Sequence, residues 1–362
     1  MAGCSKLLTM AGFSLLSLFE RSRGFALDFS DRDIRLIQVR GNGSRMRALC
    51  TSHVKVPEGL IDNGVVKSPD EVAALVQQAI AVAKPKPPKT KFVVAGLPES
   101  QVFMRHFRVP NDLRGEDLDD RVLEEAKRNM PLDLATMVWD FQVLRQKEDE
   151  QELVLAAASS EIVNAYVTVL TQAGLTPFAI EPESIALIRS LVVPATIPQG
   201  EGAVILDLGG RGSVFIFTDE DGIQLSITRL EGGNMITEKV AQLLSIALDK
   251  AERLKREQGL EDQHVMKAFE KVYEPVIEDF FRARAAYELQ AGRKLTRVIL
   301  SGGTCLTPGL LGYLQAKLNM SVAMGQLPIA LEGATPARSA VALGLALRAA
   351  RLERGLSFIT VD

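Results

Sequence analysis

The chain is poor in the residues that most often build reactive or cross-linked sites, with three cysteines, three histidines and one tryptophan among 362 residues. Cys4, Cys50 and Cys305 are odd in number, dispersed and without metal-ligand spacing, which argues against a disulfide framework and suits a reducing cytosol. Only His53, His106 and His264 are present, so a histidine-rich metal centre or a Ser-His-Asp hydrolase is disfavoured. No run approaches the roughly 18 apolar residues of a membrane span. An excess of one charge is missing too: 42 Lys and Arg against 45 Asp and Glu leave a net charge of −3, with the signs interspersed. There is then no global basic field for nucleic acid, and 6% aromatic residues without an interleaved basic stripe point the same way.

What is present is the composition of an ordinary globular chain, 47% hydrophobic and 24% charged, long enough for two domains or more. The start is unusual. Leu7, Leu8, Met10, Phe13, Leu15, Leu16, Leu18 and Phe19 lie between Lys6 and the pair Arg21 and Arg23. The stretch resembles a short secretory signal, but Glu20 and two arginines stand where small cleavage-site residues belong. A surface-lying membrane helix and a helix packed on its own domain or a partner both remain open.

Two stretches 179 residues apart look like one device used twice. Phe25–Ser30 is an apolar run with Asp28 near its end, followed by the turn Asp31-Arg32-Asp33 and a second apolar run from Ile34 to Val39. Val204–Gly209 repeats the pattern with Asp207, the turn Gly210-Arg211-Gly212 and the run Ser213–Phe217. Each reads as strand, tight turn, strand and a Gly-containing hairpin. An acid this close to an apolar strand is costly unless it meets a cation or a hydrogen-bond donor. Taken singly, either acid is explained by a turn; as a matched pair they suggest a hydrated divalent metal and the phosphates of a nucleotide. A third element, Val298-Ile299-Leu300 running into Ser301-Gly302-Gly303-Thr304, is a strand broken at two glycines, where backbone can approach a flat or anionic ligand.

These residues resemble the actin-like ATPase superfamily, and from about Phe25 to Arg348 the chain is similar to its PilM family of type IV pilus assembly. Val93–Pro98 with Val102–Arg105, Met130-Pro131-Leu132-Asp133 with Val138–Leu144, Glu181-Pro182-Glu183-Ser184 and Ala251–Glu257 carry the resemblance to PilM in particular. The resemblance implies an α/β class, a duplicated actin-like ATPase fold of two RNase H-like halves, with an inserted small α+β subdomain. It implies ATP and Mg2+ as cofactors, with Asp28 and Asp207 orienting the magnesium through its waters. Ser30, Gly209 and Gly210 fall in the two phosphate loops. Gly232 and Gly233 open a helix aimed at the phosphates, Glu252 and Lys255 fall at ribose and base positions, and Gly302 and Gly303 form the adenosine loop. Glu181 falls in the segment joining the halves, where relatives place an acid near the attacking water. For Glu252 and Lys255 an exposed charged helix face explains the residues equally well.

The first loop departs from the family pattern. Relatives carry glycine two residues after the acid, whereas Ser30, Asp31, Arg32 and Asp33 stand here. A Cβ at Ser30 and two nearby carboxylates predict weakened nucleotide binding and weak or absent turnover, offset only where Arg32 or Arg35 turns inward.

The expected organisation is an N-terminal amphipathic segment (1–24), the first half of the core (25–90), the inserted subdomain (91–175), a crossing segment (176–200), the second half (201–335) with a helical insertion at about 245–292, and a C-terminal helix returning to the first half (336–362). Ser68-Pro69-Asp70-Glu71 opens a helix, and Lys84-Pro85-Lys86-Pro87-Pro88-Lys89 reads as a solvated linker rather than a basic patch. Ile236, Val240, Leu243, Leu244, Ala247, Leu248, Ala251 and Leu254 predict one long amphipathic helix. The resemblance implies a scaffold at the cytoplasmic face of the inner membrane that binds the cytoplasmic N-terminal tail of a PilN-like protein and other platform components of a type IV pilus or related type II secretion machine. No nucleic-acid partner is expected, and membrane contact is indirect or through residues 1–24. An active ATPase or sugar-kinase-type phosphotransferase and an FtsA-like division filament protein are the alternatives.

Overall fold

The computed structural model describes residues 8–10, 24–41, 45–129, 133–192, 196–353 and 355–361. Apart from residues 8–10 and Gly24, the N-terminal amphipathic segment lies outside them, as does the Met130-Pro131-Leu132 part of its motif. The chain forms two compact units, one of Met1–Ser190, Ile329–Gly333 and Val341–Asp362, the other of Leu191–Pro328 and Ala334–Ala340.

In chain order the first unit holds β1 (Leu8–Met10), β2 (Phe25–Phe29), β3 (Asp33–Arg40), β4 (Arg47–Lys55), the short hairpin β5 (Ile61–Asp62) and β6 (Val65–Val66), α1 (Pro69–Ala81) and β7 (Phe92–Leu97). There follow β8 (Val102–Pro110), α2 (Gly115–Asn129), β9 (Met137–Gln146), β10 (Glu150–Ser159), α3 (Ser160–Gln172), β11 (Thr176–Pro182) and α4 (Glu183–Leu191). The five-stranded sheet runs β11-β7-β2-β3-β4. β2, β3 and β4 form an antiparallel meander, and β7 and β11 add parallel strands that need helical crossovers. β2 is buried along its whole length, as a central strand covered on both faces must be.

The inserted subdomain is narrower than the 91–175 expected from the sequence. Its sheet is β8-β10-β9, and Leu118, Val122 and Ala126 of α2 pack on Phe107, Val109, Trp139, Leu153, Leu155 and Ala157. β7, expected to open the subdomain, is instead paired with β2, because its unbroken apolar run suits the middle of a parallel sheet. β11, assigned to the crossing segment, likewise belongs to the first sheet.

The second unit holds β12 (Glu201–Leu208), β13 (Ser213–Asp219), β14 (Gly222–Arg229), α5 (Gly233–Leu244), α6 (Leu248–Glu257), α7 (Gln263–Ala291), β15 (Lys294–Ser301), α8 (Leu310–Leu318) and β16 (Ser321–Met324). Its sheet runs β14-β13-β12-β15-β16, again an antiparallel meander followed by two parallel strands. Strand for strand this is the order of the first sheet. The single long helix expected over Ile236–Leu254 is two helices, α5 and α6: the chain leaves α5 through Ser245 in the left-handed region (φ 53°). Ile236 and Val240 still enter the core, but Leu248 is 57% exposed, so the apolar periodicity overran a helix end.

α9 (Pro336–Ala349) and β17 (Ile359–Val361) complete the chain. β17 pairs in parallel with β1, Leu8 opposite Ile359, and the Phe358 amide donates to the Ile180 carbonyl at 2.8 Å. Among the described residues no helix is long and apolar enough to cross a membrane.

Candidate functional site

In both meanders the acid sits at the same rung. Asp28 lies opposite Arg35 and Asp207 opposite Val214, both pairs directly cross-strand in antiparallel ladders. Directly opposed residues project to the same face. The equivalence of the two acids therefore carries a difference: an arginine faces the first and a valine the second.

In the first unit Arg35 Nη1 stands 3.9 Å from Asp28 Oδ2, while its Nη2 donates to Asp33 Oδ2 at 2.9 Å. Asp33 also pairs with His53. The Ser30 hydroxyl donates to the Asp33 carbonyl at 3.0 Å and accepts the Asp33 amide at 3.1 Å, so it closes its own turn. Asp31 accepts the amides of Asn63 and Gly64, each at 3.0 Å. The expectation that Asp31 and Asp33 stand as uncompensated charge beside a phosphate is corrected by these contacts, for each carboxylate has partners of its own. Tyr166 lies behind the loop, its hydroxyl donating to the Gly64 carbonyl at 2.9 Å and its ring packed edge-on against Phe29. Burial first, then the charges of Glu183, Asp31 and Asp28, push the Tyr166 phenol well above its ordinary value.

Glu181 is fully buried in this unit. Arg189 engages both of its oxygens, Nη1 on Oε1 at 2.5 Å and Nη2 on Oε2 at 3.0 Å, and Arg348 binds Oε2 as well. Burial raises its pKa, but the two guanidiniums outweigh that and hold the carboxyl below the usual range. A carboxylate bound on both oxygens by two arginines is poorly suited to accept a proton from water.

The second unit gathers all of its sequence candidates. Gly209 N–H donates to the Gly212 carbonyl at 2.9 Å, closing the turn after β12. The carbonyls of Gly209 and Gly210 then accept the first two amides of α5, from Gly233 at 3.0 Å and Asn234 at 2.7 Å. Gly232 is required by this close passage, since a Cβ there would lie 2.5 Å from the Gly210 oxygen and the Gly212 nitrogen. The helix end expected to face phosphates thus has its leading amides capped by the loop itself. Gly302 adopts φ +84°, donates its amide to the Ala337 carbonyl at 2.9 Å and passes so near the Leu208 carbonyl that no Cβ fits. Gly303 has the Arg338 guanidinium beside it. Thr304 Oγ1 donates to the Gly209 carbonyl at 2.8 Å, which ties the two glycine loops together.

Glu252 and Lys255 are not an exposed charged face. Lys255 is buried, and its Nζ donates to the Gly233 carbonyl at 2.7 Å, Thr237 Oγ1 at 2.7 Å and Glu252 Oε2 at 2.6 Å, which uses all three ammonium protons. Thr237 in turn donates to Glu252. Burial raises the Glu252 pKa, yet hydrogen bonds from Lys255 and Thr237 prevail and lower it. Sequence reasoning missed Thr237, Thr304 and Arg338. Thr237 had a legible signal, four residues after Gly233 and so on the same helix face.

Asp207 is the exception to this mutual satisfaction. Burial pushes its carboxyl up, opposed by a hydrogen bond with Ser301, and among the described residues no cation pairs with it. Tested against a magnesium nucleotide, the two units differ. Asp207 is an oxygen donor short of positive charge, which fits a hydrated cation. Asp28 already has a guanidinium on its face, which fits one poorly. Among the described residues no cluster of three or more His, Cys, Asp or Glu is placed to hold a metal by itself.

The sequence profile of the family described as type IV pilus assembly protein PilM matches residues 26–350. Among solved structures the chain is similar to one described as a PilM-PilN type IV pilus biogenesis complex, with a TM-score of 0.80 and 23% identity over 92% of this chain and 100% of that one. It is also similar to the ethanolamine utilization protein EutJ from Carboxydothermus hydrogenoformans (TM-score 0.53, 15% identity, 90% and 89% covered). A third match is MreB 5 of Spiroplasma citri bound to AMPPNP (TM-score 0.52, 12% identity, 91% and 96% covered). At these identities the likenesses show the fold, which is that of the actin-like ATPases.

Proposed function

Since the chain belongs to the family of type IV pilus assembly protein PilM, we propose that it works as an actin-like scaffold of the pilus machine, binding the cytoplasmic N-terminal tail of a PilN-like inner-membrane protein. The observation that carries this reading is the similarity across 92% of the chain to a PilM-PilN complex. The groove for the tail involves the subdomain of β8, β9, β10 and α2, the part of the first unit that is additional to the repeated five-stranded sheet. The partner holds the protein at the cytoplasmic face of the inner membrane.

Nucleotide has a subordinate place. Asp207 is the carboxylate of this chain best prepared for magnesium, and the first loop contributes little, because Arg35 serves Asp28 and the hydroxyl of Ser30 serves its own turn. ATP binding is weak, turnover is slow or absent, and bound nucleotide biases a two-state equilibrium that the tail also biases. Titration of the purified chain with a peptide of the PilN-like tail, with and without Mg-ATP, tests both parts. Saturable tail binding without nucleotide is expected. No tail binding, or tight ATP binding with steady multiple turnover, overturns the scaffold reading in favour of an active ATPase.

A further inference from the structure

The sequence has no acidic residue from Ile34 to Pro57 and none from Val72 to Pro98, although the whole chain has more acids than bases. The fold brings these two tracts together. Arg40 ends β3 directly opposite Arg47, which begins β4, and Arg45 stands just before it. These arginines line an open cavity of about 610 Å³ at the hairpin end. Thr51 in the middle of β4 bridges Lys84 in antiparallel sense, with mutual backbone hydrogen bonds of 2.9 and 3.0 Å. From Lys84 the chain bends at Pro85 and Lys86 and reaches Lys91 at the start of β7, so Lys86 and Lys89 lie on the stretch between that bridge and the β7 start. Lys91 then precedes β7, whose Val93 is paired with Phe25 at the start of β2.

Arg40, Arg45, Arg47, Lys84, Lys86, Lys89 and Lys91 therefore share the pole of the first unit at the starts of β2 and β7, away from Asp28 near the end of β2. All seven are exposed, and none forms an ion pair with a described residue. Val82, 47% exposed, lies beside them in the chain. The linker reading made from the sequence saw only the lysine half of this surface.

We infer that this pole is an interaction surface for the anionic headgroups of a lipid bilayer, so that the first unit rests on the membrane with its Asp28 loop turned away. The charges are spread over a hairpin end and a proline-broken segment. Among the described residues of the two tracts no helix carries them and no Phe, Tyr or Trp ring is fully exposed for bases to stack on, Phe92 being partly buried at the start of β7, which favours a headgroup layer over nucleic acid. The inference rests on the proposed membrane-face location only in the choice of lipid; the surface itself stands on the register.

Sedimentation of the full-length chain with vesicles of phosphatidylglycerol and phosphatidylcholine, against phosphatidylcholine alone, tests it. Binding is expected only with the anionic lipid and should decline steeply with salt. R40E/R45E/R47E and K84E/K86E/K89E, checked for unchanged melting, should each weaken it roughly tenfold or more, with the N-terminal segment intact. K267E/K271E/K294E, which reverses three exposed lysines of the second unit, should leave it unchanged. Both pole variants should still bind the PilN-like tail peptide, which separates this inference from the scaffold reading. Salt-independent binding, equal binding to neutral vesicles, equal loss in the control variant, or tighter binding to duplex DNA than to the vesicles overturns the inference. If the charge-reversal variants do not fold, R40Q/R45Q/R47Q and K84Q/K86Q/K89Q take their place, because the cationic N-terminal segment would give the unaltered chain the same salt and lipid dependence; unchanged binding in both then overturns the inference.

Discussion

Gly64 donates its amide to Asp31 Oδ1 at 3.0 Å, so the acid of the first loop caps the β5-β6 turn of the same unit. Asp31→Ser should then leave ATP affinity unchanged, although removal of a carboxylate from a phosphate loop would ordinarily raise it. The substitution should instead lower stability by about 1–3 kcal/mol, since the Asn63 and Gly64 amides lose a charged acceptor. Calorimetric titration and chemical denaturation read the two effects separately. A clear gain in affinity would mean that Asp31 faces the nucleotide.

Arg35→Gln should have the effect that Asp31→Ser lacks. It removes the Arg35 guanidinium from the face of Asp28 while keeping a side chain on that rung, and magnesium-dependent ATP binding should tighten about tenfold, or about 1.4 kcal/mol. Titrations with magnesium and with a chelator distinguish this from a general change in the loop, because only the magnesium-dependent part should grow.

Glu181→Ala should cost about 3–5 kcal/mol, for it strands two arginines beside a fully buried site. The pH dependence has a definite sign. The folded carboxyl lies below its unfolded value, so its contribution is complete above the unfolded pKa and is lost as pH falls through the folded one. Acid denaturation curves of the parent and Glu181→Gln should diverge above the ordinary carboxylate range and converge below it. Parallel curves would exclude Glu181 as a source of the acid sensitivity.

Asp207→Asn should act in the opposite direction. Burial raises the folded carboxyl above its unfolded value, so the ionised form is a cost at neutral pH that is relieved as pH falls through the folded pKa. The amide should raise the melting temperature at neutral pH by about 2–4 °C, the equivalent of about 1 kcal/mol, and remove magnesium-dependent nucleotide binding. A lowered melting temperature would show that Asp207 is held by favourable interactions rather than strained by burial.

The duplication was legible because it is written in local pattern: two apolar runs with an acid at one spacing and a tight turn after each. The glycines were legible as a group, but their reason was not. Gly232 and Gly302 read as places where backbone could meet a ligand, whereas the structure uses them to let backbone pass backbone. The partners of Asp31, and those of Lys255 other than Glu252 on its own helix, lie on other turns and helices, where no periodicity points. Arg35 was within reach, since its equivalent at the same 179-residue offset is Val214 and a charge in place of an apolar residue is the kind of mismatch a repeat exposes. The end of α5 escaped because the apolar spacing continued across Ser245.

The ion pair of Glu181 with Arg348 joins residues 167 positions apart, and the first unit takes its last segment from Val341–Asp362. On the ribosome the carboxylate is made about ten to thirty seconds before its second arginine. During that interval Glu181 has only Arg189, and the sheet of β2, β7 and β11 lacks Leu356, Phe358 and the rest of the C-terminal run that is buried in the finished chain. The first unit is begun first and completed last, so a chain that stops short of Arg348 cannot complete even its earliest-made part.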